Sequence, residues 1–251
     1  RHTRSLCDWS SDVCSSDLSD MDRPWIQIPI HDCCEPLLAL PSGVRRWQPH
    51  PYAALGAPYP AGTDPFQLRW SVLQRLLRAQ HWLQEQHPEL ELIVFDAYRP
   101  LAVQQFMVEH SLSLPGATPE AVAAIWAPPN PDPSAPPPHS TGAAVDLTLA
   151  ERGGAVVDMG GAIDALGPVS RPDHFAEADP EAPEGVWHQR RGWLAAAMGR
   201  AGFVRHPGEW WHFSWGDQLW AWQTGGPQAR YGRVARSEEH TSELQSHSDL
   251  V

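Results

Sequence analysis

Apolar positions recur with a helical period over residues 65–86, where Phe66, Trp70, Leu73, Leu77 and Leu83 fall near one face. Asp64-Pro65 supplies a capping carboxylate and a proline at the first helical position, and His87-Pro88 closes the segment. The pattern then changes. Leu92-Ile93-Val94-Phe95 is a short apolar run between polar flanks, which predicts a buried strand leading into Asp96-Ala97-Tyr98-Arg99-Pro100. Pro100 opens a second helix to about Leu112, and Thr118-Pro119-Glu120 opens a third to about Trp126. Residues 143–149 (AAVDLTL) predict a strand, and residues 155–158 a return beside it across Gly153-Gly154. Residues 187–201 predict a helix with Gly202 in the C-terminal capping position, and residues 210–215 an aromatic strand after Pro207-Gly208. Strands and helices are mixed without regular β-α-β alternation, so the fold class is α+β.

The intervening stretches have their own texture. Residues 21–62 are proline-rich and irregular and predict a wrapping segment, and residues 167–185 a polar loop. Residues 127–138 (APPNPDPSAPPP) are too rich in proline for either periodic element. Strand-like sequence follows them at once, which favours a long ordered loop over a domain linker. No internal repeat is present.

Composition narrows the possibilities further. With 251 residues, 42% of them hydrophobic and 19% charged, the chain can bury a sizeable core. No apolar run approaches the roughly 18 residues of a membrane-spanning helix, so membrane insertion is not expected. All 18 basic residues are arginine, set against 30 acidic ones, and no basic stripe exists to track a phosphate backbone, so nucleic acid is not an expected partner.

Residues 1–20 and 237–251 are rich in Ser, Asp, Glu and His and lack apolar periodicity. Their texture resembles translated sequencing-adapter read-through, so the expected organisation is one domain over 21–236 between two non-native tails. Neither tail has the basic-then-apolar layout of a secretory leader, which points to the cytoplasm. Without them, 16 arginines face 22 acids, a net charge of −6 that is ordinary for a soluble domain. Cys33 and Cys34 remain inside the domain, and adjacent cysteines imply no disulfide framework. With His31 they could form a metal cluster, but partly buried apolar use of the thiols is the expected reading.

Three stretches carry candidate chemistry. In His139-Ser140-Thr141-Gly142-Ala143-Ala144-Val145-Asp146 a histidine at a loop-to-strand junction and a carboxylate on the strand can converge on a cation, with Gly142 turning the backbone between them. Glu209-Trp210-Trp211-His212 sets a carboxylate three residues before a second histidine, and Asp96-Ala97-Tyr98-Arg99-Pro100 presents an arginine at a strand end. His139, Asp146 and His212 together make a three-ligand set with an open fourth position, the arrangement of catalytic zinc, and Glu209 is then free to act as general base. Each element alone also has an ordinary use: a surface histidine, a strand-entry ion pair, an arginine that caps or bridges. Asp146 is the hardest to dismiss, because a carboxylate among apolar strand residues is costly to bury without a partner. On a regular strand Glu209 and His212 would face opposite sides, so the site requires irregular backbone at 208–210. His31, His81, His110 and His174 lack partners at such spacing and read as ordinary polar residues.

Taken together, FDAYRP, HSTGAAVDLTL and EWWHF, in that order, resemble the zinc D-alanyl-D-alanine dipeptidases of the VanX type, over about residues 24–232. The resemblance implies a Hedgehog/D,D-peptidase-like fold, with a small antiparallel sheet carrying one zinc ion and helices flanking it. It implies His139, Asp146 and His212 as zinc ligands, Glu209 as the base that activates a metal-bound water, and Arg99 as the group steadying the oxyanion. Asp164 matches the acidic residue that receives the substrate ammonium, at a shorter spacing after Asp146 than the family has. Pro137 stands where the family carries a serine two residues before the first ligand. The implied activity is hydrolysis of D-alanyl-D-alanine, with the Pro-rich loop, Trp210 and Trp211 walling a small pocket. The alternatives are a zinc D,D-carboxypeptidase or cell-wall endopeptidase, for which Asp164 would not matter, and a zinc-containing peptide-binding module without catalysis.

Overall fold

The computed structural model describes residues 23–234, so the tails placed at 1–20 and 237–251 lie outside the described residues. Among the described residues, seven strands and six α-helices follow one another without βαβ repetition. They are β1 (Leu37–Ala39), β2 (Arg45–Arg46), α1 (Pro51–Ala54), β3 (Gln67–Arg69), α2 (Trp70–Gln86), β4 (Leu90–Asp96), α3 (Leu101–Leu112), α4 (Pro119–Ile125), β5 (Ala144–Glu151), α5 (Pro183–Arg200), β6 (Val204–Arg205), β7 (His212–Ser214) and α6 (Gln218–Thr224). The main sheet has the order β2-β4-β5-β7-β6, and β1 with β3 forms a separate antiparallel pair. The sheet is antiparallel across β4, β5, β7 and β6; parallel pairing enters only at the edge, where β2 joins β4. The long path from β2 through α1, β3 and α2 back to β4 permits that parallel pairing.

The sheet divides the molecule into two packed layers. On β5, Val145, Leu147 and Leu149 point to a core shared with Val72, Leu76, Leu83, Leu194 and Met198 of α2 and α5. The intervening residues Asp146 and Thr148 point to the opposite face, as strand alternation requires. A smaller apolar cluster covers that second side, made of Tyr52, Val103, Met107, Val122, Ile125 and Trp126. β5 is therefore buried on both faces along its whole length up to Glu151, and a polar side chain on it must find partners.

Some elements start elsewhere than the local pattern predicts. The helix expected from residue 65 begins at Trp70, because Gln67–Arg69 is drawn into pairing with Leu37–Ala39. Asp64 Oδ1 accepts the Phe66 N–H at 2.8 Å and so closes a turn. The helix start is instead capped by Glu35, whose carboxylate accepts the Ser71 N–H and Oγ–H, both at 2.8 Å. Trp70, expected on the buried face, is exposed. α5 begins at Pro183, since proline suits the first helical position even without a polar cap before it. The return strand at 155–158 reduces to a single bridge between Ala150 and Val156. Cys33 and Cys34 are both exposed, correcting the expectation of buried thiols. Their segment runs along the surface, held by the Cys33 N–H on Arg230 O at 2.9 Å.

Candidate active site

Strand register assembles the site. Asp146 on β5 pairs with His212 on β7 on one side and with Asp96 on β4 on the other. Val94 opposes Leu147 while Asp96 opposes Asp146, so two residues of β4 answer one of β5. This bulge turns Asp96 away from the apolar face that Leu92 and Val94 share and onto the face of Asp146. His212 and Ser214 occupy the same face of β7, and Phe213 between them enters the core.

His139 reaches the row from a 3-10 turn, Pro138–Thr141, that ends at Gly142. Gly142 is left-handed (φ +71°), and a β-carbon there would collide with Leu37 Cδ2. The tight reversal it allows brings His139 back over the start of β5. His139 Nδ1 lies 2.7 Å from Ala97 O and donates to it, leaving Nε2 bare and 3.1 Å from Asp146 Oδ2 and from His212 Nδ1. His212 Nε2 is 3.3 Å from Ser214 Oγ, which leaves its Nδ1 facing Asp146 Oδ1 at 3.0 Å. The two ring nitrogens and the carboxylate oxygen lie within 4.8 Å of one another, the one such grouping among the described residues. Lone pairs converging at these distances require a shared cation or proton, and backbone and hydroxyl partners on the outer nitrogens are the usual outer shell of metal-ligating histidines. Two histidines and a carboxylate thus fit a divalent ion such as zinc, with no fourth protein ligand among the described residues. Burial alone would raise the Asp146 carboxyl, but His139 and His212 outweigh it and hold it ionised.

Glu209 stands beside this group. Residues 207–208 form a turn and 210–211 a bend before β7 begins at His212, so the backbone is irregular where the site requires it. Glu209 Oε2 lies 4.0 Å from His212 Nδ1, and Oε1 lies 3.0 Å from His206 Nδ1. Gly208 N–H also approaches that ring nitrogen, at 3.2 Å. His206 Nδ1 thus faces both the Gly208 N–H and Glu209 Oε1. Burial first, then the charges of Asp146 and Asp164, push the Glu209 carboxyl well above its ordinary range, while burial lowers His206. A cation among the three ligands would work against that upward push.

Arg99 closes the opposite flank. Its Nε donates to Asp96 Oδ2 at 2.9 Å, Nη1 to Gln104 Oε1 at 2.9 Å, and Nη2 to Tyr52 Oη at 3.2 Å and Asp146 Oδ2 at 3.1 Å. Its guanidinium also lies over the rings of Tyr52 and Trp126, at 4.9 and 4.8 Å. Asp96 is held in turn by His50 Nε2 at 3.1 Å. Asp164 has a left-handed backbone (φ +64°), and its Oδ2 accepts from Tyr52 Oη at 2.9 Å. Burial, followed by the nearby Asp146, pushes its carboxyl up to about 7.

All six predicted residues, His139, Asp146, His212, Glu209, Arg99 and Asp164, line a single cavity. Pro137 does not line it; it faces an adjoining cavity together with most of the Pro-rich loop. Trp210 and Trp211 are not walls, since both are buried in the main core. Trp25 and Trp126 take that place. The sequence reading missed Tyr52, His206, Trp25, Trp126 and Arg23. Of these only His206 had a local signal, three residues before Glu209; the rest arrive by packing of distant segments.

The family profile described as peptidase M15, D-ala-D-ala dipeptidase, matches residues 45–229. A protein of Synechocystis sp. named D-alanyl-D-alanine dipeptidase is 47% identical over 240 residues, spanning 84% of this chain and 97% of the relative. An Escherichia coli protein of the same name is 33% identical over 124 residues, 49% of this chain and 54% of the relative. A solved LD-carboxypeptidase structure, LdcB, aligns with a TM-score of 0.42 at 15% identity, over 79% of this chain and 78% of that one. Across most of its length, and by the profile and the near-complete relative together, the chain belongs to the D-ala-D-ala dipeptidase family of M15 peptidases.

Proposed function

We propose that this chain is a zinc-dependent dipeptidase that hydrolyses D-alanyl-D-alanine, its catalytic domain spanning residues 21–236. The observation that carries the reading is one cavity lined by a buried His139–Asp146–His212 donor set, a carboxyl group within reach of it and an arginine beside it. Zinc, which His139, Asp146 and His212 would hold, would supply Lewis acidity and lower the pKa of water to about 7. Glu209 Oε2, facing the donor set, takes the proton of the attacking water and returns it to the leaving amide nitrogen. His206 stands against Glu209 Oε1, which leaves Oε2 as the oxygen facing the donor set. Arg99 Nη2 lies at the rim of the donor set, where negative charge on the carbonyl oxygen is stabilised more in the transition state than in the ground state. Asp164, kept in place by Tyr52 Oη, receives the substrate ammonium and selects free dipeptides. The alternative of a binding module without catalysis is disfavoured because both a base and an oxyanion donor flank the ligands.

The test is hydrolysis by the zinc-supplied protein of D-alanyl-D-alanine, its L,L counterpart and an amino-blocked D,D-peptide, with Glu209→Ala as blank. Cleavage of the free D,D-dipeptide alone is expected. Equal cleavage of the blocked peptide would move the assignment to a carboxypeptidase or endopeptidase.

A further inference from the structure

A free dipeptide carries a second charge. Its α-carboxylate lies at most about 7 Å from the ammonium, the reach of two extended residues, so both ends must be met inside the cavity. The cations lining the cavity can be taken in turn. Arg99 serves the oxyanion through Nη2, and its Nε and Nη1 are bound to Asp96 and Gln104. His139 and His212 belong to the metal donor set, and His206, lowered by burial, serves Glu209.

Arg23 remains. Its Nη2 donates to Ala123 O at 2.8 Å and Trp126 O at 2.9 Å, at the C-terminal end of α4, where exposed carbonyls favour a cation. That tether fixes the guanidinium, while Nε and Nη1 have no protein acceptor among the described residues. Trp126, held by the same contact, is 3% exposed and lines the same cavity. Its indole N–H is buried without an acceptor. An indole can only donate, and an orphaned buried donor requires an explanation. Arg23 lies near enough to Glu209 for each to alter the other's proton affinity, whereas Asp164 is surrounded by Tyr52 and Arg99.

We propose that Arg23, through Nε and Nη1, and the Trp126 indole N–H form the subsite for the substrate's α-carboxylate. The inference rests on the dipeptidase reading and extends it. Asp164 excludes extension at the amino end, and Arg23 with Trp126 excludes amidation or extension at the carboxyl end.

The experiment compares D-alanyl-D-alanine with its C-terminal amide in the wild-type protein and in Arg23→Gln, Arg23→Lys and Trp126→Phe, all supplied with zinc. Arg23→Gln is expected to raise KM for the free dipeptide roughly 10- to 100-fold with little change in kcat, the loss that follows truncation of a charge-assisted hydrogen bond. The wild-type preference for acid over amide should collapse toward unity in Arg23→Gln and be largely kept in Arg23→Lys. Trp126→Phe, which keeps the ring and deletes the donor, should lose a smaller part of the same preference. If Arg23→Gln loses the same factor on both substrates, or loses kcat alone, the subsite assignment is overturned while the dipeptidase reading stands. If the wild type fails to cleave the free dipeptide, both are overturned.

Discussion

Arg191 is the residue whose replacement tests most directly how the fold holds the substrate end of the site. It lies on α5, is 1% exposed, and has no carboxylate partner among the described residues. Its Nε donates to Met159 O at 2.9 Å, Nη1 to Arg171 O at 3.0 Å and Nη2 to Val169 O at 3.1 Å. It also sits 4.8 Å over Phe175 and 5.0 Å over Trp210. One side chain thus pins the segment that carries Asp164 to the helix layer, and burial, with a smaller push from Arg205, lowers its pKa to about 10. Arg191→Met removes three bonds from a charged donor, each worth about 1.5–3 kcal/mol, which gives an upper bound of roughly 5–9 kcal/mol. Relief from burying an unpaired cation offsets part of this, and methionine retains apolar contact with the two rings. A net loss of roughly 3 kcal/mol is expected, or about 6–12 °C in Tm for a domain of this size. Urea unfolding at fixed zinc should show a lower midpoint with an unchanged slope. Metal content should be unaltered, because His139, Asp146 and His212 are held by the sheet and its preceding turn. KM for the dipeptide should rise as Asp164 loses its support. A stability loss under about 1 kcal/mol, or loss of zinc with KM unchanged, would refute this reasoning.

Other consequences can be checked alongside. Asp146→Ala should release zinc, read by metal analysis, whereas Glu209→Ala should keep zinc and fold but lose roughly 100- to 10,000-fold in kcat. Tyr52→Phe deletes the hydroxyl that Asp164 Oδ2 accepts from, and KM for the free dipeptide should rise several-fold. Asp164 must be ionised to hold an ammonium group and its carboxyl stands at about 7. kcat/KM should therefore fall as pH drops through or below 7, a bound cation moving the limb lower, and Asp164→Asn should abolish that limb. Gly142→Ala forces a side chain into left-handed backbone and against Leu37, and should cost about 2 kcal/mol or more in chemical unfolding.

Several features of the site follow from local sequence. The apolar run ending in Asp96, the AAVDLTL strand and the Pro207-Gly208 turn each state their own conformation, because alternation, helical period and turn chemistry act over a few residues. They were enough to place a histidine before a strand, a carboxylate among apolar neighbours and a glutamate on irregular backbone. Even there, long-range pairing overrode local preference, as when Gln67–Arg69 left the helical pattern to pair with Leu37–Ala39.

What only the tertiary structure decided is lateral. The pairing of Asp146 with His212, and the bulge that turns Asp96 onto their face, depend on register between strands distant in sequence. A shift of one residue would send each side chain to the opposite layer. Trp25 and Arg23 reach the cavity, and Tyr52 reaches Arg99 and Asp164, from a proline-rich segment with no periodicity of its own, so nothing local marks them. Trp210 and Trp211 show the converse: adjacent to Glu209 in sequence, they are drawn into the core because a pair of indoles gains more from burial against α5 and the sheet than from lining a polar cavity. The chain names the chemical groups by short-range rules; packing of the two faces of one sheet decides which of them meet.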